Sequence, residues 1–422
     1  MDESQARAYV DTIGRAARAA AAKLAVTTGS QRDSALRACA KALRDGKEQL
    51  QAANAKDLAR NEEFGLSKAM VDRLTLTDAR IEAMALALDE MAQQVDPVGR
   101  TVTAYNRPNG LRIEKRRVPI GVIAIVFESR PNVTSDAAGL CLKSGNAAIL
   151  RGGKEALHSN LAIASALRGA LAAAGLPAEA VTVIDHPDRA IVPALCTAGG
   201  LVDLIVPRGG KGLIEAVTKA ATIPVIKHYD GICHVYVHAA ADLDMAERIA
   251  LNAKCQYPAV CNAMETLLID VAVAGTFLPR VAAALRKRNV ELRGCARCLA
   301  IVPDMKPATE EDWSAEYLDL ILAVRVVDDI EAAIDHINTY GSKHTDAIVT
   351  GRIDAAERFV TEVDSASVMV NASTRFSDGG EYGLGAEVGI STDKLHARGP
   401  MGAEDLTTYK WIVTGSGHVR GE

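Results

Sequence analysis

Residues 119–151 read PIGVIAIVFESRPNVTSDAAGLCLKSGNAAILR, and this stretch decides the fold class. A short apolar run rich in β-branched residues comes first, a stretch with helical spacing follows over 133–144, and a second apolar run ends at Arg151. Uninterrupted apolar strands are typical of parallel sheets, because helices cover both faces of such a sheet. The stretch therefore predicts an α/β fold.

Strands and helices keep alternating after this stretch. Strand-like runs form a first set, AVTVID, LVDLIVPRGG, TIPVIKH and CHVYVHA, and a second set, ETLLID, VELRG, LAVRVV, DAIVTG and SVMVNAS. Helical spacing occurs between them, at 155–174, 187–198, 210–221, 242–256, 272–288, 328–340 and 354–363. We therefore expect two doubly wound α/β domains, with a boundary that the topology places near 236–240.

The first hundred residues have a different composition and periodicity. They are rich in Ala, Leu, Arg, Lys and Glu with helical spacing, which predicts helices at 3–26, 31–59 and 78–94. Thr77 is a suitable N-cap for the third of these helices. The chain thus begins with a helical region that leads into the α/β part.

A basic β-ribbon is expected next to the first domain. Residues 101–119 form two extended runs around the turn at 107–110, which has the residues of a hairpin, and the run LTTYKWIVTG supplies a last strand near the end of the chain. The many Arg and Lys side chains of the hairpin favour an edge ribbon over a core strand.

Composition excludes several classes of protein. The chain has 422 residues and a net charge of -5, and no basic stripe is available for a nucleic-acid backbone. No apolar stretch reaches the roughly 20 residues that span a bilayer, and the first residues are acidic where a secretory signal would be basic and then apolar. We expect a cytoplasmic protein that binds neither nucleic acid nor membrane.

Two glycine-rich turns follow predicted strands and could hold phosphate groups. In LIVPRGGKGLIEAV, Gly209 and Gly210 precede a helix whose first N–H groups could face a phosphate; a tight connection without a ligand is the alternative. In ILRGGKEA, Arg151 and Lys154 follow a strand, where cations would suit the 2′-phosphate of NADP; solvated surface charges are the alternative. Together the two turns favour NADPH/NADP as cofactor.

One of the eight cysteines is a candidate nucleophile. Cys261 lies in NAKCQYPAVCNAMET, in a predicted loop between a helix and a strand, where a thiolate and backbone N–H groups could face one cleft. The alternative is a small buried core residue, which is also our expectation for Cys255 at the helix end. Cys295 and Cys298 form a CxxC without a second pair, so we expect no metal site.

Two histidines lie where a helix turns into the next strand. Gly341 suits a left-handed C-cap, and His336 in the last helical turn would favour the negative end of the helix. Capping and packing therefore account for His336 and His344 without catalysis.

Taken together, these blocks resemble one known family. Residues 327–348 match its signature at twelve positions, and four further blocks, including PIGVIAIVFESRPN, VPRGGKGLI and NASTRFSDGGEYGLGAEVGISTDKLHARGPMG, occur in the same order. The chain resembles the glutamate-5-semialdehyde dehydrogenases, also called gamma-glutamyl phosphate reductases, of the aldehyde dehydrogenase superfamily. The resemblance covers the chain from about residue 10. The matching signature positions are Val327, Ala333, Ile334, His336, Ile337, Tyr340, Gly341, Ser342, His344, Thr345, Asp346 and Ile348.

The resemblance implies an architecture. It implies a nucleotide-binding domain at 1–100 and 130–236 and a catalytic domain at 237–372. It also implies a small oligomerisation flap made of 101–118 and 405–415, in a homodimer or homotetramer.

The resemblance also implies an activity, the NADPH-dependent reduction of L-glutamate 5-phosphate to L-glutamate 5-semialdehyde and phosphate in proline biosynthesis. The product cyclises to 1-pyrroline-5-carboxylate. Glutamate 5-kinase, which makes the unstable substrate, is a possible partner under this hypothesis.

Individual residues acquire roles from the same resemblance. Cys261 would form a thioester, Asn132 would donate to the oxyanion, and Glu316 would hold the nicotinamide ribose, with a solvated loop acid as the alternative for Glu316. Cations should line the substrate pocket; the candidates, each of which could instead be a structural ion-pair partner, are Arg130, Lys227 and Arg375.

One departure bears on the mechanism. Hydrolytic members of the superfamily carry a general-base glutamate where this chain has Lys227 or His228, which fits an acyl group that exchanges with phosphate. Two other hypotheses stay open at this point. One is a coenzyme A-acylating aldehyde dehydrogenase, and the other is a non-catalytic nucleotide-binding protein of the same fold.

Overall fold

The computed structural model describes residues 1–128, 130–227 and 230–420. Two compact units are present. The first comprises Met1–Lys227, Gly383–Gly389 and Met401–Glu422, and the second comprises His228–Tyr382 and Ile390–Pro400. Among the described residues, no helix is both long enough and apolar enough to cross a membrane.

Helices and strands alternate through most of the chain. In chain order the helices are α1 Glu3–Leu24, α2 Gly29–Asp45, α3 Lys47–Leu58, α4 Lys68–Leu74, α5 Asp78–Gln93, α6 Asn132–Lys143, α7 Leu157–Ala173, α8 Ile191–Cys196, α9 Lys211–Ala220, α10 Leu243–Cys255, α11 Val271–Arg286, α12 Ala296–Ile301, α13 Ile330–Tyr340 and α14 Ile353–Glu362. The strands are β1 Thr101–Asn106, β2 Arg112–Pro119, β3 Val122–Phe127, β4 Ala147–Arg151, β5 Val181–Val183, β6 Leu204–Arg208, β7 Cys233–Val237, β8 Met264–Asp270, β9 Glu291–Gly294, β10 Lys306–Pro307, β11 Ile321–Val327, β12 Thr345–Val349, β13 Ser367–Val370, β14 Ile390–Ser391, β15 Gly399–Pro400 and β16 Thr407–Thr414.

The first unit contains a four-stranded parallel sheet in the order β5-β4-β3-β6. All six residues of β3 are buried, as expected for a central strand covered on both faces. The same unit carries a three-stranded antiparallel sheet, β1-β2-β16. Gly110, at a φ of 92°, supplies the left-handed residue of the turn between β1 and β2.

The second unit contains a seven-stranded parallel sheet in the order β10-β9-β11-β8-β7-β12-β13. All seven residues of β8, near the middle of this sheet, are buried. Apolar side chains of α10 and α11, such as Ala250 and Phe277, pack on the sheet and form its main core. Because β8 pairs with β11 on one side and with β7 on the other, the loop that leads into β8 ends at a rigid strand.

The α/β class predicted from the apolar runs is confirmed, and so is the N-cap at Thr77, whose side chain accepts from the N–H of Arg80. Helix 31–59 was expected to be continuous, but Gly46 ends α2 and precedes α3, because glycine is a poor residue for a helix interior. Helices α4 and α12 were not predicted.

Two predictions near the domain boundary are wrong. Over its described residues 222–227, the run TIPVIKH makes an isolated bridge between Val225 and Ile205 and no strand. The next run, CHVYVHA, was assigned to the first set of strands, but β7 pairs with β8 and β12 in the sheet of the second unit. The chain therefore enters the second unit before 236–240. The functional division into domains and the oligomerisation role of the flap stay predictions.

Candidate active site

Cys261 lies in the loop between α10 and β8, as the sequence predicted, and it is partly exposed. The loop runs over 256–263 and reaches the amino end of β8, beside the amino end of β7, where Cys233 pairs with Met264. A partly exposed thiol on a loop that joins a buried strand is accessible to a small molecule while its backbone is held. This is the geometry that a nucleophile requires.

Gly231 packs directly against the backbone of Cys261. A Cβ atom at Gly231 would lie 2.0 Å from the carbonyl oxygen and 2.4 Å from the Cα of Cys261, so no side chain fits there. The Cys233 thiol donates to the same carbonyl, with 3.2 Å between sulfur and oxygen. Gly231, which precedes β7, and Cys233, the first residue of β7, therefore fix the position of the Cys261 backbone.

Glu316 is connected to this contact. Its Oε1 accepts a hydrogen bond from the N–H of Gly231 at 2.9 Å, and its side chain is half-buried. The next residue, Tyr317, donates from its hydroxyl to Oδ1 of Asp312 at 2.6 Å, and its ring lies 5.2 Å from the guanidinium carbon of Arg293. Glu316 is thus hydrogen-bonded to Gly231, which packs on the Cys261 backbone, and its role stays a prediction.

A buried ion pair spans the loop. Nζ of Lys254 lies 2.6 Å from Oε2 of Glu265, and both side chains are fully buried. Burial raises the pKa of Glu265 and lowers that of Lys254, and the attraction between the two opposes both shifts. The sequence analysis did not single out this pair, although both residues lie in the stretch NAKCQYPAVCNAMET that carries Cys261.

Arg375 lies in the 3₁₀ turn Thr374–Phe376 and is attached to the same loop. Its Nε donates to Oε1 of Gln256, the first loop residue, at 2.7 Å. Burial lowers the pKa of Arg375, while negative charge on Asp378 and Cys261 acts in the opposite direction. Of the predicted site residues, the second unit therefore brings together Cys261, Glu316 and Arg375.

The glycine-rich turn after β6 contains a carboxylate that the sequence analysis missed. Gly210 caps α9, and its N–H donates to Oε2 of Glu128 at 3.0 Å. A Cβ at Gly209 would lie 2.7 Å from the carboxyl carbon of Glu128. A carboxylate at this helix start demonstrates that the turn accommodates an anion. Glu128 itself ends an apolar strand, which is the signal that could have identified it.

Cations surround the turn after β4. Arg151 donates from Nη1 to the carbonyl of Gly152 at 2.7 Å and from Nη2 to that of Pro187 at 3.2 Å. Burial lowers the pKa of Arg151; the negative charge of Glu155 opposes this shift, and the positive charge of Arg189 adds to it. Lys154 is exposed, with Nζ 4.9 Å from the centre of the Phe64 ring. Arg189, which was not predicted, is exposed and contributes a further positive charge that acts on Arg151.

The remaining predicted residues lie in the first unit, whereas Cys261 lies in the second. Asn132 is the exposed first residue of α6, and its Nδ2 donates to Oδ2 of Asp136 at 2.9 Å. Burial raises the pKa of Asp136 to about 6. Arg130 and Lys227 are half-buried. The roles of these three residues stay predictions, and His228 is outside the described residues.

The predicted capping by Gly341 and His336 is wrong in two respects. Gly341 is extended, with φ of -68° and ψ of 152°, because the chain leaves α13 directly towards the next strand. His336 is buried among aromatic rings and accepts from Nη1 of Arg325 at 2.9 Å. Burial lowers its pKa to about 2, so the ring is neutral and carries no charge for the helix end. The packing role is confirmed for His336 and for the fully buried His344.

The chain is similar to known proteins of one family. Residues 3–294 match the model of the aldehyde dehydrogenase family. A relative from Moorella thermoacetica, named gamma-glutamyl phosphate reductase, is 55% identical over 411 residues, which cover 97% of this chain and 98% of the relative.

Two crystal structures of proteins with the same name are also similar. The protein from Thermotoga maritima is 45% identical with a TM-score of 0.95, and the match covers 97% of this chain and 99% of that chain. The protein from Saccharomyces cerevisiae is 31% identical with a TM-score of 0.54, and the match covers 97% of this chain and 98% of that chain.

Proposed function

The chain belongs to the aldehyde dehydrogenase family, and from this we propose that it reduces L-glutamate 5-phosphate to L-glutamate 5-semialdehyde and inorganic phosphate. The name and the full-length similarity of the relatives support this substrate. The observation that carries the proposal is Cys261, a partly exposed thiol whose backbone is held by Gly231 and whose loop adjoins Glu316. Acyl transfer through a cysteine requires such an accessible and fixed nucleophile.

Cys261 acts first as the nucleophile. Its thiolate attacks the acyl carbon, a C–S bond forms, the C–O bond to phosphate breaks, and phosphate leaves with the bonding electrons. The resulting thioester is then reduced to a thiohemiacetal. When the thiohemiacetal collapses, the C–S bond breaks, the aldehyde is released and the thiolate is restored. The backbone N–H of Cys261 and the amide of Asn132 are assigned to the oxyanion.

A nicotinamide cofactor supplies the hydride, and the residues of the first unit fit such a group. The first N–H groups of α9 attract an anion, so we assign the turn at Gly209 and Gly210 to the pyrophosphate; its binding requires the Glu128 carboxylate to leave the N–H of Gly210. The cations Arg151 and Lys154 are assigned to the 2′-phosphate, which favours NADPH over NADH, while the carboxylate of Glu155 at the same turn opposes a second anion. Glu316 is assigned to the nicotinamide ribose.

The substrate carries a phosphate and an α-carboxylate, which call for cations. Arg375 is attached to the first residue of the Cys261 loop and is assigned to one of these anions, together with Arg130 and Lys227. The position of the hydrolytic glutamate of other family members corresponds to Lys227 or His228, so we assign no carboxylate base there to activate water against the thioester. Phosphate therefore remains the acyl acceptor in the reverse reaction.

We assign the reaction to proline biosynthesis in the cytoplasm, where the product cyclises to 1-pyrroline-5-carboxylate. The β1-β2-β16 sheet has exposed edges and aromatic side chains, Tyr409 and Trp411, that suit pairing in a homodimer or homotetramer. Glutamate 5-kinase is the partner that the lability of the acyl phosphate suggests.

The reverse reaction tests the proposal. Purified protein is mixed with 1-pyrroline-5-carboxylate, phosphate and NADP, and NADPH formation is followed by absorbance. We expect formation that depends on phosphate and is lost in Cys261→Ser. Activity that survives in Cys261→Ser would refute the mechanism. A requirement for coenzyme A instead of phosphate would favour an acylating dehydrogenase, and no turnover with either acceptor would favour a non-catalytic role.

A further inference from the structure

Two cysteines lie side by side in the second unit, and the proposed reduction uses neither of them. Cys295 directly follows β9, and Cys298 lies in α12; their Sγ atoms are 3.5 Å apart. Cys295 is partly exposed, whereas Cys298 is fully buried. The two thiols therefore differ in access to solvent although they are in contact.

The surroundings of the pair tolerate a bond between the two sulfur atoms. The carbonyl of Val324, in β11, accepts from the Cys295 N–H at 3.1 Å and from the Cys298 thiol at 3.3 Å. When the thiol proton is lost, the carbonyl keeps its hydrogen bond from the Cys295 N–H. Oxidation therefore leaves the buried carbonyl of Val324 hydrogen-bonded.

The two thiols also differ in acidity. When Cys295 is ionised, the Cys298 S–H donates to its sulfur instead of to the Val324 carbonyl, and this hydrogen bond lowers the pKa of Cys295 and raises that of Cys298. Since the thiolate is the reactive form, the exposed member of the pair is also the more nucleophilic one. Its exposure to solvent and its lowered pKa therefore both make Cys295 the thiol that reacts first.

We propose that Cys295 and Cys298 form a reversible dithiol–disulfide site that reacts with low-molecular-weight disulfides. The Cys295 thiolate attacks one sulfur of the reagent, forms a mixed disulfide and releases one thiolate. Cys298 then loses its proton and attacks the Cys295 sulfur, which closes the internal disulfide and releases the second thiolate. Two protein thiols are oxidised, and one reagent disulfide is reduced to two thiols.

The cysteines other than Cys261, the proposed nucleophile of the reduction, provide the contrast. Burial raises the pKa of the buried thiols, which are Cys39, Cys141, Cys196 and Cys233. Cys255 is partly exposed like Cys295, but burial raises its pKa as well. Cys255 is therefore the matched internal control, because it shares the exposure of Cys295 and not its acidity.

Thiol mapping of the full-length chain tests this proposal without any assay of the reductase. The protein is incubated with glutathione disulfide, quenched with acid, alkylated and mapped by mass spectrometry. We expect a disulfide between Cys295 and Cys298 that dithiothreitol reverses, formed on the order of tenfold faster than any modification of Cys255. In Cys298→Ser, a mixed disulfide should persist on Cys295, and in Cys295→Ser, Cys298 should remain a free thiol.

Three results would overturn the proposal. The first is recovery of Cys295 and Cys298 as free thiols under conditions that modify Cys255. The second is a Cys298→Ser protein that carries no adduct on Cys295, and the third is an adduct on Cys298 in Cys295→Ser. Circular dichroism establishes that each variant is folded, and if one is not, the map of the unsubstituted protein decides the question.

Discussion

Lys254 and Glu265 form a fully buried ion pair that joins the two ends of the loop carrying Cys261. Lys254 is the next-to-last residue of α10, Glu265 is the second residue of β8, and their charged atoms are 2.6 Å apart. The other carboxylate oxygen of Glu265 accepts from the N–H of Leu318 at 3.2 Å. Because Leu318 follows Glu316 by two residues, one buried pair supports both the nucleophile loop and the segment of Glu316.

Removing one member of this pair should destabilise the protein strongly. Lys254→Met leaves the Glu265 carboxylate buried without a counter-charge, which costs about 3–5 kcal/mol. We expect a clearly lower melting temperature in differential scanning calorimetry. The exposed pair Arg358–Glu362 provides the control, since Arg358→Ala should leave the melting temperature nearly unchanged. An unchanged melting temperature in Lys254→Met would contradict the role of the pair.

A methyl group at Gly231 should displace the nucleophile. The added Cβ of Gly231→Ala would lie 2.0 Å from the Cys261 carbonyl oxygen, so the loop must move. Misplacement of a reacting atom by about 1 Å costs on the order of a hundredfold in rate, and we expect a loss of kcat of that size in the reverse assay. Gly275→Ala, on the open surface of α11, is the matched substitution and should leave the rate unchanged. Equal rates for both variants would argue against the contact.

Asp312 predicts a pH dependence of stability. Burial acts to raise its pKa, but hydrogen bonds from Tyr317, Thr309 and Arg293 outweigh burial and lower the pKa from 3.8 to about 2. A lowered carboxylate pKa contributes stability that is present above about pH 4 and disappears as the pH falls towards 2. The melting temperature of Asp312→Asn should therefore lie below that of the unsubstituted protein at neutral pH and converge with it near pH 2. A difference that stays constant from pH 5 to pH 2 would exclude this linkage.

Arg375 should control substrate affinity. Arg375→Ala removes a cation attached to the nucleophile loop through Gln256, and we expect KM for phosphate in the reverse reaction to rise by about tenfold or more. Arg375→Lys keeps the charge and loses the planar fork, so its KM should be intermediate. Gln256→Ala separates the two roles of Arg375. If Gln256→Ala raises KM as much as Arg375→Ala does, the arginine only positions the loop.

Arg151 should contribute to the choice between cofactors. In Arg151→Ala the preference for NADPH over NADH, measured as the ratio of kcat/KM values, should fall by about tenfold, because one cation opposite the 2′-phosphate is lost. The rate with NADH should change little. Arg168→Ala, on α7 of the same unit, is the control and should keep the preference. An unchanged preference in Arg151→Ala would remove this residue from the phosphate site.

Local sequence patterns predict much of the secondary structure. The apolar run of β3 and the capping threonine of α5 were enough to predict these two elements. Both an apolar run and an N-cap are made by residues that are adjacent in the chain. The prediction of a strand at TIPVIKH was wrong because it rested on the local pattern alone. The apolar residues fit a strand, but among the described ones only Val225 bridges to β6. Pairing between distant strands also decided that β7 belongs to the second unit.

The candidate site also consists of residues that the sequence predicted and of contacts that it did not predict. Sequence alone identified Cys261 as a loop cysteine, the glycine turn before α9 and the cations after β4, because each is a short contiguous pattern. Only the tertiary structure brought Glu316 and Gly231 together, placed Glu128 at the start of α9 and buried Lys254 against Glu265. The first two contacts join residues that are far apart in the chain, and the third joins two residues that no local pattern pairs. Their energies depend on burial and on distances of a few ångströms, which arise only when the sheets and their loops are packed.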